Sequence, residues 1–185
     1  MTYQSVSGRD PGDGFDAFVR ARWTATARLA YALTLDHQKA EDLAQESFAK
    51  LWFHWKKVGA ENPDGYLRRV VTTTFLSGRR RRWIGERPTA VLPDHPVGPE
   101  TGRIDDQQAL RQAMARLSPR QRAAVYLRYA EDLPEQVVAE LIGCSVGTVK
   151  THASRGLAAL RGDNALDPNT FDEPGAFAGI AEGRA

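Results

Sequence analysis

The sequence predicts an all-α protein: two small helical domains joined by a flexible linker, the C-terminal one a helix-turn-helix. Three observations carry that reading. Apolar residues recur at a spacing near 3.6 over most of the chain, and strict alternation is nearly absent, the mark of amphipathic helices rather than strands. Residues 83–103 interrupt the periodicity with four prolines and several glycines, a stretch longer than connections inside one compact domain usually run. Asp132 to Arg161 reads as two helices about a tight turn, and the second has too polar a surface for a buried element.

Residues 1–14 are polar and Gly-containing and are expected to form a flexible N-terminus. The first domain is expected over 15–82. Phe15 to Thr34 forms a first helix, with Phe18, Trp23, Ala27, Leu29, Ala30 and Tyr31 as core candidates. Asp36 or a neighbour starts a second helix that runs to about Val58. On it Ala40, Leu43, Ala44, Phe48, Leu51, Trp52 and Trp55 form a wide apolar band, opposite Asp42, Gln45, Glu46 and Ala49. A small lobe does not easily bury so wide a band, which leaves part of it for a partner. Asn62, Pro63, Asp64 and Gly65 read as a turn. A third helix runs from about Tyr66 into an arginine run, with Tyr66, Val70, Phe75 and Leu76 inward and Arg68, Arg69, Thr72, Thr73 and Arg79, Arg80, Arg81 and Arg82 outside. The arginines close a helix whose C-terminal dipole favours cations. Beside a Thr-rich face they point to nucleic-acid contact.

The second domain is expected over 104–161. Val138, Ala139, Leu141 and Ile142 form an apolar face, and Asp132 with Glu135 has the spacing of a capping box. Gly143 suits the left-handed end of that helix, and Ser145 the cap of the next. The next helix buries Val146, Val149, Ala153, Leu157 and Leu160 and shows Thr148, Lys150, Thr151, His152, Ser154 and Arg155. A merely solvated helix is usually filled with strong helix formers such as Glu, Lys and Gln. Here short hydroxyl side chains and cations take their place, and no acid occurs from Ser145 to Arg161. Such a helix is suited to phosphates and base edges, so the chain is expected to bind DNA. Residues 162–185 form an acidic tail, expected to be disordered.

The formal net charge is only +2, so DNA binding has to rest on local clusters. Cys144 is the single cysteine, which excludes an internal disulfide and a cysteine metal site. His37, His54, His95 and His152 are scattered, and no glycine-rich phosphate loop or nucleophile constellation is present. No catalytic residue, metal or cofactor is therefore expected, and an enzyme is disfavoured. No apolar run approaches a membrane span and the N-terminus lacks a signal-peptide pattern, so a cytoplasmic protein without membrane insertion is expected.

The blocks AEDLAQESFAKLW, YLRRVVTTTFLSGRRRR and LSPRQRAAVYLRYAEDLPEQVVAELIGCSVGTVKTHASRGLAALR, in this order and with a linker between the last two, resemble a sigma factor. The resemblance is to the two-domain extracytoplasmic-function type of the sigma-70 superfamily, and it covers most of Phe15 to Arg161. It implies core RNA polymerase and promoter DNA as partners, with an anti-sigma factor as a further one. Asp42, Gln45, Glu46, Phe48, Leu51 and Trp52 would then lie at or near the clamp helices of the largest polymerase subunit, and the second domain would meet the flap of the second-largest subunit. The turn from Gly59 to Asp64, with Asn62, resembles the loop that captures a flipped base of the minus-ten element. Arg68, Arg69, Thr72 and Thr73 match positions at the upstream edge of the bubble, followed by Arg79 to Arg82. Lys150, Thr151, Ser154 and Arg155 fall where the family reads the minus-thirty-five element, with Ser145, Thr148 and His152 toward phosphates. Thr73, His152 and Ser154 depart from residues frequent in the family, so the promoter sequence is not implied. The alternative is a helix-turn-helix regulator that does not replace the sigma subunit; it would need a ligand pocket or a phosphoacceptor cluster, and the N-terminal half has neither pattern.

Overall fold

The computed structural model describes residues 11–59, 61–85 and 103–162. The expectations for residues 1–10, most of the linker and the tail lie outside the described residues, and the expected start of the first helix at Phe15 is corrected to Pro11. The elements are α1 (Pro11–Thr34), α2 (His37–Val58), α3 (Pro63–Gly85), α4 (Arg103–Arg116), α5 (Pro119–Val125), a π-helical turn (Tyr126–Ala130), α6 (Glu135–Ile142) and α7 (Val146–Arg161). All are helical, and no strand occurs among the described residues.

Local chemistry sets the boundaries. Leu35 takes a left-handed φ of 58° between α1 and α2. Asp36 then caps α2, accepting from the Lys39 amide at 3.0 Å. Hydrogen bonds from the Lys39 side chain and backbone hold its carboxyl below the ordinary carboxylate range. The expected turn at Asn62 to Gly65 is corrected: α3 already starts at Pro63. Proline lacks the amide that a first helical residue leaves unpaired, and the Asn62 Oδ1 accepts from the Gly65 amide at 2.9 Å.

The capping box expected from Asp132 and Glu135 is also corrected. Asp132 has φ 48° and Pro134 precedes α6, with no side-chain cap. The chain reverses through the π-helical turn, where the Leu133 amide reaches the Leu127 carbonyl at 3.0 Å. The true box lies upstream: Ser118 accepts from the Gln121 amide, and Gln121 accepts from the Ser118 amide. Gly143 ends α6 at φ 72°, ψ 51°, as its position suggested.

The apolar core is continuous between the two sets of helices. Leu29, Ala32 and Leu33 of α1, Val71 and Phe75 of α3, and Leu110, Val125, Leu127, Val138 and Val149 further on belong to one buried cluster. A smaller cluster of Phe48, Leu51 and Leu67 joins α2 to α3, flanked by Trp23 and Trp55. Buried Arg122 of α5 crosses between the two sets: its guanidinium donates to the Leu33 carbonyl at 2.8 Å and to the Met114 carbonyl at 3.0 Å.

Candidate nucleic-acid interface

The recognition surface is built on α7. The Ser145 hydroxyl accepts from the Thr148 amide at 3.2 Å and lies 2.8 Å from the Thr148 hydroxyl. The Thr151 hydroxyl donates to the Gly147 carbonyl at 3.0 Å. Val149, Ala153, Gly156, Leu157 and Leu160 are buried and Val146 is half-buried, which fixes the rotation of the helix. Ser145, Lys150, Thr151, Ser154 and Arg155 are exposed, with Thr148 and His152 half-buried at the edge. The expected outer face is thus assembled on one helix side.

Gly156 sets how closely α7 approaches α5, since a Cβ there would lie 2.6 Å from Val125 Cγ2. The Lys150 ammonium lies 3.5 Å from Glu135 in a largely exposed pair, a weak contact that a phosphate can replace. Burial, then Arg120 and Arg155, lower the His152 pKa below its ordinary value. The lowering favours the neutral ring, which hydrogen-bonds rather than adding a charge. Exposed Arg120 extends the basic surface from α5. It went unnoticed in the sequence because only the tertiary fold brings α5 beside α7.

On α3 the expected site residues part. Arg69 and Thr73 are exposed, and the Thr73 hydroxyl donates to the Arg69 carbonyl at 2.7 Å. Arg68 is half-buried, its guanidinium 3.2 Å from Glu131. The expectation that Thr72 faces outward is corrected: it is fully buried and its hydroxyl has no hydrogen-bond partner. The reason is that α3 is covered on two sides, by α1 and α2 and again by α5 and α6. Asn62 is exposed at the start of α3, where Asp64 forms a two-point pair with Arg22 of α1. The side chains of Arg79, Arg80, Arg81 and Arg82 lie outside the described residues.

On α2 Asp42, Gln45 and Glu46 are exposed, and Glu46 pairs with Lys50 at 2.7 Å. Phe48 and Leu51 are buried; they fix the helix and cannot themselves be touched in this state. Trp52 is half exposed, its ring 4.9 Å from that of Phe15. Phe53, absent from the expected set, is 83% exposed. An exposed aromatic in an otherwise apolar stretch gave no periodic signal. Among the described residues no cluster of His, Cys, Asp and Glu could hold a metal, and no helix is long and apolar enough to cross a membrane.

A helix-turn-helix with a polar, acid-free recognition helix defines a DNA-binding protein. Comparison with known proteins makes this specific. Residues 18–84 match Sigma-70 region 2, and residues 107–160 match Sigma-70, region 4. An RNA polymerase sigma-E factor of Streptomyces coelicolor is 36% identical over 80% of this chain and 84% of its own. One from Streptomyces antibioticus is 37% identical over 80% and 82%. The solved structure of the sigma factor RpoE in complex with the anti-sigma factor NepR from Bartonella quintana matches with a TM-score of 0.63 and 27% identity, covering 80% of this chain and 94% of that one. The chain belongs to the sigma-70 family of RNA polymerase sigma factors, in its extracytoplasmic-function branch. Core RNA polymerase and promoter DNA are its partners, and directing transcription initiation is its function. The family is one of initiation factors, not a known enzyme family, and the reading as a regulator acting beside another sigma subunit falls away.

Proposed function

We propose a division of labour within the chain. Residues 15–82 form the domain for core polymerase and the minus-ten element, 104–161 the domain for the minus-thirty-five element, and 83–103 the linker, with 1–14 and 162–185 as flanking segments. The exposed face of Asp42, Gln45, Glu46 and Trp52 meets the clamp helices of the largest subunit, seated by Phe48 and Leu51. The second domain meets the flap. Asn62, Arg68, Arg69, Thr73 and Arg79 to Arg82 hold the melted element. Lys150, Thr151, Ser154 and Arg155 read bases upstream, with Ser145, Thr148 and His152 on phosphates. The protein works in the cytoplasm and supplies no chemistry of its own; an anti-sigma factor is a further candidate partner.

The observation that carries this reading is the coexistence of two surfaces on one chain. One is the acid-free outer face of α7. The other is the exposed acidic face of α2 beside Trp52. Extruding a base from duplex DNA costs a few kcal/mol, and each domain alone offers a modest footprint. Two DNA sites held at a fixed span by polymerase gain effective concentration.

Changing Asp42 and Glu46 together to Arg tests the α2 assignment. Both are exposed, so the helical circular dichroism should be unchanged while capture of core polymerase is lost. Assembly at near wild-type affinity would contradict it.

A further inference from the structure

The run Leu51, Trp52, Phe53, His54 and Trp55 puts more large apolar residues in succession on α2 than one buried stripe of a helix can take. Leu51 is fully buried. Phe53 sits about 200° further round the helix and is 83% exposed, the most exposed large apolar side chain among the described residues. Trp52 is half exposed beside it. Trp52, Phe53, Trp55 and Lys56 line an open slot of about 250 Å³. That is below the roughly 300–1,000 Å³ of a small-molecule site, and it suits one large side chain.

The chain itself enters beside this slot. α1 begins at Pro11, and Phe15, about 6 Å further along the helix, has its ring 4.9 Å from Trp52 and 5.2 Å from Trp55. A Cβ on Gly14 would lie 3.9 Å from Trp55 Cζ2. Residues 1–10, MTYQSVSGRD, thus join α1 about one helical turn from the slot. Ser7 and Gly8 form a turn-favouring pair, and Tyr3 is the segment's one aromatic. The chain from Tyr3 to Pro11 can span up to about 29 Å, ample for a return to α2. We propose that residues 1–10 turn back at Gly8 and lay Tyr3 in the slot of Trp52, Phe53, Trp55 and Lys56, so that core polymerase must displace the segment to dock on α2. The proposal rests on the assignment of Trp52 to the polymerase contact made above.

Tyrosine fits this slot chemically. Its ring can pack edge-on or offset against Trp52 and Phe53 while its hydroxyl stays in water, and the ammonium of exposed Lys56 can lie over its face. Because the segment is tethered beside the slot, the contact is intramolecular, and one anchor suffices where a free peptide would bind poorly. A single anchor is also weak enough for a polymerase surface to displace.

The test uses the full chain with p-benzoylphenylalanine in place of Phe53, an exposed position. On irradiation the probe should cross-link within the chain to the tryptic peptide of residues 1–9, and Tyr3→Ser should lower the yield several-fold. Capture of residues 163–185, capture of a second copy in a mixture of isotope-labelled and unlabelled chains, no capture, or a yield unmoved by Tyr3→Ser each overturns the docking. In parallel, affinity for core polymerase is measured. Tyr3→Ser should bind about two- to five-fold tighter than wild type or Gln4→Ser, as expected when the uncovered state is populated at about one half to one fifth. Trp52→Ala in the Tyr3→Ser background reads the polymerase contact by itself. A loss of affinity there, with Tyr3→Ser and wild type equal, overturns the competition. If the cross-link forms and Trp52→Ala costs no affinity, the docking stands and the assignment of Trp52 to polymerase is the part that fails.

Discussion

The Arg122 guanidinium donates to the Leu33 carbonyl at 2.8 Å across 89 residues of sequence. Leu33 belongs to the last turn of α1, and the other carbonyls that Arg122 reaches, Met114, Ala115 and Leu117, lie at the end of α4. One buried cation therefore serves the negative ends of two helices, one from each half of the chain.

Replacing Arg122 by Met keeps the volume and removes the donors. Buried carbonyls left without partners cost about 1–3 kcal/mol each at most, so a total loss of about 2–4 kcal/mol is expected once the site relaxes. Urea unfolding followed by circular dichroism should show the midpoint falling. Lysine should recover only part of the loss, because a point charge cannot reproduce the planar fork. An unchanged midpoint for the Met variant would mean that the cation contributes nothing net.

Gly156 gives a prediction opposite in sign to helix propensity. In an open helix interior alanine would gain about 0.8–1.0 kcal/mol over glycine. Here the new Cβ would lie 2.6 Å from Val125 Cγ2, and Val125 is a buried, stiff side chain. Overpacking of this kind costs about 1–3 kcal/mol. Gly156→Ala should therefore destabilise by roughly 1 kcal/mol net, and a gain in thermal midpoint would refute the close approach of α7 to α5.

Arg155 is exposed on the outer face of α7. If it reads a base, Arg155→Ala should cost about 1–3 kcal/mol and relax preference at one position of the minus-thirty-five element. Selection by holoenzyme from a randomised element measures this. A uniform loss over all sequences would instead assign Arg155 to the backbone.

His152 makes DNA binding and stability respond to pH in opposite directions. Burial, then Arg120 and Arg155, hold its folded pKa below the ordinary 6.5. The unfolded chain thus takes up the proton first, and the stability His152 contributes above pH 6.5 is lost as pH falls through the folded value. A phosphate beside the ring raises the pKa again, so binding takes up a proton and tightens as pH falls. Fluorescence anisotropy with holoenzyme and promoter DNA, between about pH 8 and pH 6, should show a pH slope that His152→Gln abolishes. Identical slopes would remove His152 from the phosphate contacts.

Some of this was legible in the sequence. The apolar positions of α6 and α7, Gly143 and Ser145 follow from spacing and cap chemistry alone, and the burial agrees at Val138, Ile142, Val149 and Leu160. The exposed acids of α2 were legible for the same reason. Thr72 was misread because periodicity finds one buried side, whereas α3 is packed on two. Arg122 and the Arg68–Glu131 pair join residues 89 and 63 positions apart, which no local pattern encodes. The box assigned to Asp132 failed because a left-handed residue and Pro134 redirect the chain first.

The most direct measurement is run-off transcription by core RNA polymerase on a library of double-stranded promoters, with and without this protein. Core alone should give no promoter-specific transcript. Adding the wild-type chain should yield discrete start sites that share upstream and melted elements, and the double variant with Asp42→Arg and Glu46→Arg should yield none. Transcripts that the wild-type chain leaves unchanged would contradict the account, as would start sites that persist undiminished with the double variant.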